Sequence, residues 1–211
     1  MISCRSRLFA REVGLLLNCR GPSARSMSYQ RTAGESGVER PPYTVVDSRD
    51  GYEERKYVAA KWVSTTVESM TRQSAVSTAF QRLFNYISGE NDLKTKVDMT
   101  APVATRIVPG AGPNCESTFT VSFYIPPKHQ KSAPAPTRNG VFIESFPQMT
   151  VYASGFGGFA DDGHWVEHAR ELSEKLKQKN IHREFYFTAG YDSPFKMSNR
   201  LNEVWFVKKD S

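Results

Sequence analysis

The chain has 211 residues, of which 39% are hydrophobic and 24% charged, and its formal net charge is +6. This length suits one domain with a substantial core, and the composition excludes collagen-like and wholly disordered proteins. No stretch approaches the roughly 20 apolar residues that a membrane-spanning helix needs. The chain has three cysteines, too few for a disulfide framework at this length, which favours a reducing compartment.

Most of the positive charge lies in residues 1–34, which contain six arginines, no lysine and a single acid, Glu12. The rest of the chain is close to neutral, so a basic nucleic-acid-binding face is not indicated. Arginines separated by apolar residues, with almost no acids, are typical of a mitochondrial transit peptide. The alternative is a disordered leader, or upstream sequence bypassed by initiation at Met27, which would leave the protein in the cytoplasm.

Residues 35–211 form the predicted domain, which begins with a polar segment ending in two prolines. Its first half contains strands, a helix and further strands, predicted over residues 43–47, 57–67, 74–88, 99–108 and 117–125. The helix rests on an apolar stripe at helical spacing, formed by Ala75, Val76, Ala79, Leu83 and Ile87. Gly89 follows as its stop signal.

A Pro-rich segment, residues 126–136, is predicted to be a linker between the two halves. After it the order recurs, with elements predicted over residues 141–144, 149–156, 162–179, 184–189 and 204–207. Because both halves have the order strand, strand, helix, strand, strand, a structural duplication is expected. The predicted fold class is α+β, with one antiparallel sheet or barrel and a helix packed on each half.

The motif His164-Trp165-Val166-Glu167-His168 matches H-x-x-E-H, a helical arrangement that can bind zinc beside a catalytic glutamate. Such a site also needs a third ligand from downstream, where strands and loops are predicted instead of a helix. Asp161 and Asp162 precede the motif as candidate N-caps, which gives its polar residues an ordinary place in a first helical turn. No metal site is predicted.

No other motif supports catalysis. Cys115 lies in a polar Gly/Pro/Asn loop without a nearby group that would activate its thiol. G-x-S-x-G, P-loop and G-x-G-x-x-G motifs are absent from the sequence. The basic residues 175, 177, 179 and 183 alternate with glutamates of the second helix, which is typical of a solvated face. The sequence therefore predicts a protein that is not an enzyme and does not bind nucleic acid.

Phe80 and Phe84 lie four residues apart and border the apolar stripe of the first helix. They either widen the core face or form an exposed apolar platform. A platform of two aromatic rings would suit a flat, apolar ligand.

Six short blocks in fixed order carry a resemblance to a known family. They are Gly51-Tyr52-Glu53-Glu54-Arg55, Lys61-Trp62, Met99-Thr100-Ala101-Pro102-Val103, Phe123-Tyr124-Ile125-Pro126, Thr188-Ala189-Gly190-Tyr191-Asp192-Ser193-Pro194 and Asn202-Glu203-Val204-Trp205. From about Tyr43 to Lys208 the sequence resembles the SOUL/haem-binding protein family, and in particular its SOUL-like branch.

This resemblance implies a distorted antiparallel β-barrel of two similar halves, each with a flanking helix. It also implies a non-enzymatic carrier or buffer that binds haem or a related tetrapyrrole. The family's ligand contacts correspond here to Ser77, Phe80, Leu83, Phe84, Phe195 and Lys196. Phenyl rings can stack on a macrocycle, and a lysine ammonium can bind a haem propionate.

The sequence departs from the family pattern at two positions. Lys56 occupies the place of a histidine proposed as an axial haem ligand in some members, and Ser77 replaces an arginine that faces the propionates in the other branch. The four histidines of the chain, His129, His164, His168 and His182, match no family ligand position. We therefore expect weak binding, with no axial histidine and no metal held directly by the protein.

A second hypothesis also follows from the resemblance. Some SOUL-like proteins are described as acting at mitochondria in cell-death regulation, through a helix that resembles the short death motif bound by Bcl-2-type grooves. The corresponding amphipathic helix, residues 164–179, has Leu172 and Leu176 four apart but lacks the Gly-Asp pair of such motifs. It implies a mitochondrial protein partner.

Overall fold

A computed structural model describes residues 37–49, 51–112 and 115–209. The predicted targeting segment, residues 1–34, lies outside them. Nine β-strands, two α-helices and one short 3-10 helix form within the described residues. In chain order they are β1 (Tyr43–Arg49), β2 (Tyr52–Tyr57), β3 (Ala60–Ser69), α1 (Arg72–Ile87), β4 (Val103–Val108), β5 (Ser117–Tyr124), the 3-10 helix (Pro127–His129), β6 (Val141–Phe146), β7 (Met149–Gly157), α2 (Asp162–Lys175), β8 (Tyr186–Gly190) and β9 (Leu201–Val207).

All nine strands pair in one antiparallel sheet, in the order β1-β2-β7-β9-β8-β4-β5-β3-β6. Strands β2, β3, β4 and β5 of the first half correspond in turn to β6, β7, β8 and β9 of the second half. With this correspondence, the strand order from β2 to β6 reads the same from either end of the sheet. The first strand of each half is exchanged, because β2 pairs with β7 and β6 pairs with β3. The predicted duplication is confirmed, and each half carries one helix.

The sheet curls, so that side chains from distant strands meet on its inner face. Phe146 of β6 contacts Phe187 of β8 with ring centroids 6.0 Å apart, and Tyr57 of β2 lies 5.3 Å from Trp205 of β9. Both pairs belong to one buried cluster with members from every strand. The α+β fold with a distorted antiparallel barrel is therefore confirmed, in the form of an open, curled sheet.

Helix α1 packs on β3 and β5, on the face of the sheet opposite the inner cluster. Its N-terminus is capped by Thr71, whose hydroxyl accepts a hydrogen bond from the Ser74 N–H at 3.3 Å. The buried face consists of Ala75, Ala79, Leu83, Tyr86 and Ile87. The helix ends before Gly89, which has a φ of +119°, a conformation that favours glycine.

Helix α2 packs on β9 and begins with the predicted cap. The Asp161 carboxylate accepts a hydrogen bond from the His164 N–H at 2.9 Å, and the His164 ring lies near the Asp161 N–H in return. Trp165, Ala169 and Leu172 face the sheet. The helix ends at Lys175, so the predicted end at residue 179 is wrong.

Two predicted strand boundaries are wrong for the same physical reason. Residues 57–67 do not form one strand, because the chain turns after Tyr57 and β2 precedes that turn. Hydrophobic alternation in the sequence does not predict β2, because β2 contains the charged residues Glu54 and Arg55, which are buried in the folded protein. Likewise β9 begins at Leu201 and not at residue 204, because its buried Glu203 resembles a loop residue in sequence.

The Pro-rich segment 126–136 is not the predicted linker, because it packs against the body. Pro134 is buried and its carbonyl accepts a hydrogen bond from the Tyr86 hydroxyl at 2.8 Å. The Gln130 side-chain amide holds the start of β3 in place. Its oxygen accepts a hydrogen bond from the Lys61 N–H, and its NH₂ group donates one to the Lys61 carbonyl. Prolines here fix an ordered path along the surface.

A buried ion pair joins β2 to β9 across β7. Arg55 donates two hydrogen bonds to the Glu203 carboxylate, at 2.9 Å and 3.0 Å. The same carboxylate accepts hydrogen bonds from the Tyr191 hydroxyl at 2.7 Å and from the Trp205 indole N–H at 2.8 Å. The Arg55 Nε–H donates a further hydrogen bond to the Glu53 carboxylate at 2.8 Å, so every polar atom of the pair has a partner, as its burial requires.

The surroundings of Arg55 keep its guanidinium charged. Burial opposes the charge on Arg55, but Glu203 outweighs this effect and raises the pKa of Arg55 above its usual value. Burial, followed by the negative charge of Glu203, raises the pKa of Tyr191 well above its usual value. At neutral pH the guanidinium is therefore charged, and the Tyr191 hydroxyl keeps the proton that it donates.

We predict that Glu203→Gln lowers the free energy of unfolding by about 3 kcal/mol, because it leaves the buried Arg55 guanidinium with only the partly exposed Glu53 as its counter-charge. Urea denaturation measures this loss. The control is Asp98→Asn, which removes an exposed pair with Lys128 and is expected to change stability little. Equal stability of the two variants would contradict a structural role for the buried pair.

Candidate functional site

The outer side of α1 carries a pair of stacked aromatic rings. The ring centroids of Phe80 and Phe84 are 5.9 Å apart, with an interplanar angle of 16°. Phe80 also rests edge-on against Phe123 of the core at 5.3 Å, and this contact fixes its orientation. Phe84 is 45% exposed, so one face of the pair meets solvent. Of the two sequence alternatives, Phe80 joins the core and Phe84 forms a platform.

Two adjoining cavities run along this helix face. The larger, about 700 Å³, lies between α1 and the turn before α2, and it is lined by Ser77, Phe80 and Phe159. The smaller, about 230 Å³, is lined by Phe80, Phe84 and Met99. Phe80 and Pro194 line both cavities, so they form one continuous surface. We call this surface the α1 groove.

The loop between β8 and β9, residues 191–200, forms the opposite wall of the α1 groove through Pro194. Its base is fixed at two points. The Tyr191 hydroxyl donates to Glu203, and the Leu201 N–H donates to the Asp192 carboxylate at 2.6 Å. The buried ion pair of β2 and β9 therefore positions this wall of the groove.

Lys196 is held in this loop by an ion pair with Asp192, at 2.7 Å. Burial disfavours the charged form of Asp192, but hydrogen bonds from Lys196 and from the Leu201 N–H outweigh it and lower the pKa of Asp192. Lys196 remains partly exposed, so a ligand carboxylate could share or replace its partner.

The opposite end of the groove carries charges of both signs. Arg72, Asp161 and Asp162 line the larger cavity. Asp161 is already occupied as the cap of α2, and its hydrogen bonds with His164 lower its pKa. Since two carboxylates lie at this end, the anionic edge of a ligand is better placed toward Lys196.

Large apolar side chains are exposed around the α1 groove and along its loop. They are Phe84, Met99, Phe159, Phe195 and Met197. Phe195 is 88% exposed, at the tip of the loop. Apolar groups gathered beside a cavity are typical of a surface that binds a ligand or partner.

The structure brings three of the six predicted contact residues together along the α1 groove. Ser77, Phe80 and Phe84 line the α1 groove, whereas Phe195 and Lys196 follow Pro194 along the loop and line neither cavity. Leu83 lies inside the protein and not on the groove surface. It is fully buried in the core cluster between α1 and the sheet, and it lines neither cavity.

Lys56, which matches the position of the proposed axial histidine, lies exposed on β2 and does not line the α1 groove. None of the four histidines lines it either. Within the described residues no group of histidine, cysteine, aspartate and glutamate side chains is arranged to hold a metal ion. The sequence-based interpretation of His164 as part of a first helical turn agrees with its bond to Asp161.

Arg72, Met99 and Phe159 also line the groove, although the sequence pattern does not predict them as groove residues. Phe159 follows the Gly157-Gly158 break, so an exposed aromatic residue directly after a glycine turn is the signal that could have identified it. Arg72 opens α1 and gives no such signal, because only the approach of α2 places it beside the groove.

The two leucines expected to contact a Bcl-2-type groove face the interior of the protein. Leu172 and Leu176 are both buried against the sheet, and Leu176 caps the C-terminus of α2. An apolar groove on a partner could reach them only if α2 left the sheet.

Comparison with known proteins gives the family. The model of the SOUL heme-binding protein family matches residues 38–207. The chain belongs to this family. Human heme-binding protein 2 is 45% identical over 161 residues, which cover 75% of this chain and 78% of that protein. Heme-binding protein 1 of Xenopus laevis is 34% identical over 165 residues, covering 77% of this chain and 87% of that protein.

Solved structures support the fold independently of the family. The C-terminal domain of EcmrR aligns with a TM-score of 0.59 at 8% identity, covering 76% of this chain and 98% of that domain. At this identity the likeness concerns the fold alone. Neither helix in the described part of the chain is long and apolar enough to cross a membrane.

Proposed function

We propose that this protein binds haem or a related tetrapyrrole in the α1 groove and acts as a carrier or buffer, without catalysing a reaction. The observation that carries the proposal is the stacked pair of Phe80 and Phe84. It lies at the junction of two cavities, beside a loop that exposes Phe195. Two relatives named heme-binding proteins, at 45% and 34% identity, support haem as the ligand class.

The chemistry of the groove fits a flat ligand with an anionic edge. An exposed aromatic face can stack on the macrocycle, and such contacts contribute about 0.5–1.5 kcal/mol beyond the area that they bury. The propionates would lie toward Lys196, away from Asp161 and Asp162. Because Lys196 already has a partner in Asp192, its contribution to affinity is expected to be modest.

Iron ligation is not expected to contribute to affinity. No imidazole lines the groove, and Lys56 lies on a different part of the sheet. Binding would then depend on apolar contact and on charge at the ligand edge. We therefore propose weak, exchangeable binding, which suits a buffer better than a protein with a resident prosthetic group.

We predict that Phe84→Ala weakens haemin binding about tenfold or more, because it removes the exposed half of the stacking platform. Titration with haemin, followed through the Soret band, measures the change. Phe84 is a better target than Phe80, whose contact with Phe123 also supports the core. Lys196→Ala is expected to weaken binding less than Phe84→Ala, and Lys56→Ala is expected to have no effect.

The matched control is Phe142→Ala, since Phe142 is 40% exposed on β6 and does not line the groove. It should bind haemin like the unmodified chain. The proposal fails if no saturable Soret change occurs, or if the Phe84 and Phe142 variants weaken binding equally. A strong effect of Lys56→Ala would place the ligand on β2.

We also propose that residues 1–34 direct the protein to mitochondria, supported by their six arginines and single acid. A fluorescent reporter fused after these residues should enter mitochondria, and replacing the arginines by glutamine should leave it in the cytosol. A diffuse signal from the unmodified fusion would contradict this proposal and leave the binding proposal untouched.

A further inference from the structure

A second cavity, of about 490 Å³, lies between α2 and the sheet. Its floor is apolar and includes Ile107, Phe119 and Phe206, and Trp165 lines it from the helix. We call it the α2 cavity. Its volume falls within the roughly 300–1,000 Å³ that is usual for small-molecule sites. None of the six residues predicted to contact a tetrapyrrole lines it, although Arg72 and Asp162 line both this cavity and the α1 groove.

The charged residues that line the α2 cavity are mostly cationic. Arg72, Arg170 and Arg183 face a single acid, Asp162. The Asp162 carboxylate accepts a hydrogen bond from the Gln73 N–H at 3.1 Å and so is engaged at the start of α1. Arg183 bonds to carbonyls at the C-terminal end of α2. The cavity therefore has an excess of positive charge above an apolar floor.

Arg72 has no anionic partner in the described part of the chain. Its guanidinium lies 4.2 Å from the Trp165 ring centroid and donates one hydrogen bond, to the Thr188 hydroxyl at 2.9 Å. Burial lowers the pKa of Arg72 to about 10, and the charge of Asp162 offsets only part of that effect. Arg72 is half-buried, and charges withdrawn from water are usually paired, so this guanidinium would gain from an anion placed in the cavity.

Two further groups lack partners among the described residues. Trp165 is 4% exposed and its indole N–H makes no hydrogen bond. Arg170 is exposed and forms no ion pair within the same part of the chain. A buried donor without an acceptor is uncommon in proteins and calls for a ligand or water. A guanidinium and an indole N–H can both bind an oxyanion.

We propose that the α2 cavity binds an anionic amphiphile with a single acyl chain. The chain would lie on Ile107, Phe119 and Phe206, and the carboxylate or phosphate head would lie between Arg72 and Arg170. A flexible acyl chain can follow the apolar floor of this cavity, which lies between α2 and the curled sheet. This ligand is independent of the tetrapyrrole, although Arg72 and Asp162 also line the α1 groove.

The experiment is titration of the full chain with oleate and, separately, with an oleoyl lysophosphatidate, both below their micelle-forming concentrations. Heteronuclear NMR resolves the three indole N–H signals of the chain. We expect a saturable shift of the Trp165 signal, while those of Trp62 and Trp205 stay in place. The head group that shifts the Trp165 signal, carboxylate or phosphate, identifies the source of the ligand. Oleyl alcohol, the uncharged control, should bind about tenfold more weakly.

Two variants test the charge directly. Arg170→Ala should weaken binding of the effective probe about tenfold, because it removes a charge-assisted hydrogen bond. The matched control is Arg138→Ala, since Arg138 is also exposed but pairs with Glu90 away from the cavity. Val166→Glu, at the exposed mouth, should weaken binding by repelling the head group.

The proposal is overturned if neither anionic probe shifts Trp165, if oleyl alcohol binds as well as they do, or if both charge variants bind normally. Phe84→Ala should leave amphiphile binding unchanged. Loss of oleate binding in that variant would place the amphiphile in the α1 groove and would also contradict the proposal. Failure of haemin to bind, with oleate binding intact, would overturn only the proposed tetrapyrrole function.

Discussion

The buried ion pair between Arg55 and Glu203 is the interaction on which the arrangement of this protein depends. It joins β2 of the first half to β9 of the second, across the sheet that both halves share. Glu203 also accepts a hydrogen bond from the Tyr191 hydroxyl. This bond fixes the base of the loop that forms one wall of the α1 groove. Burial of the ion pair is favourable only because every polar atom of the pair has a partner. A charge network inside the sheet therefore positions one wall of the groove proposed to bind the ligand.

Local patterns in the sequence predict the parts of the fold that local forces determine. The stripe that includes Ala79 and Leu83 predicts α1, and Asp161 predicts the start of α2. The pairing of Arg55 with Glu203 has no such signal, because the two residues are 148 positions apart and each resembles a surface residue. The same reason explains why β2 and the start of β9 are missed. For the site, helical spacing identifies Phe80 and Phe84, but only tertiary structure reveals that Leu83 is buried and that Arg72 lines the groove.

The duplicated architecture leaves two kinds of surface on the helical face of the sheet. Each half packs one helix on its own strands, and the helices meet where Asp162 bonds to the first turn of α1. The stack of Arg72 on Trp165 lies at this junction. On one side is the α1 groove, with an exposed aromatic platform, and on the other is the α2 cavity, with excess positive charge. The aromatic platform of the α1 groove favours a flat ligand, and the arginines of the α2 cavity favour an acyl anion, although both ligands carry negative charge.

The central claim is that haem lies against α1. The most direct test is the paramagnetic broadening that iron(III) haemin causes in the amide NMR signals of the chain. We expect broadening centred on residues 76–84 and 191–197, weaker around Trp165, which stacks on the groove residue Arg72, and little around Lys56 of β2. Broadening centred on Lys56, or on the α2 cavity, would contradict the account.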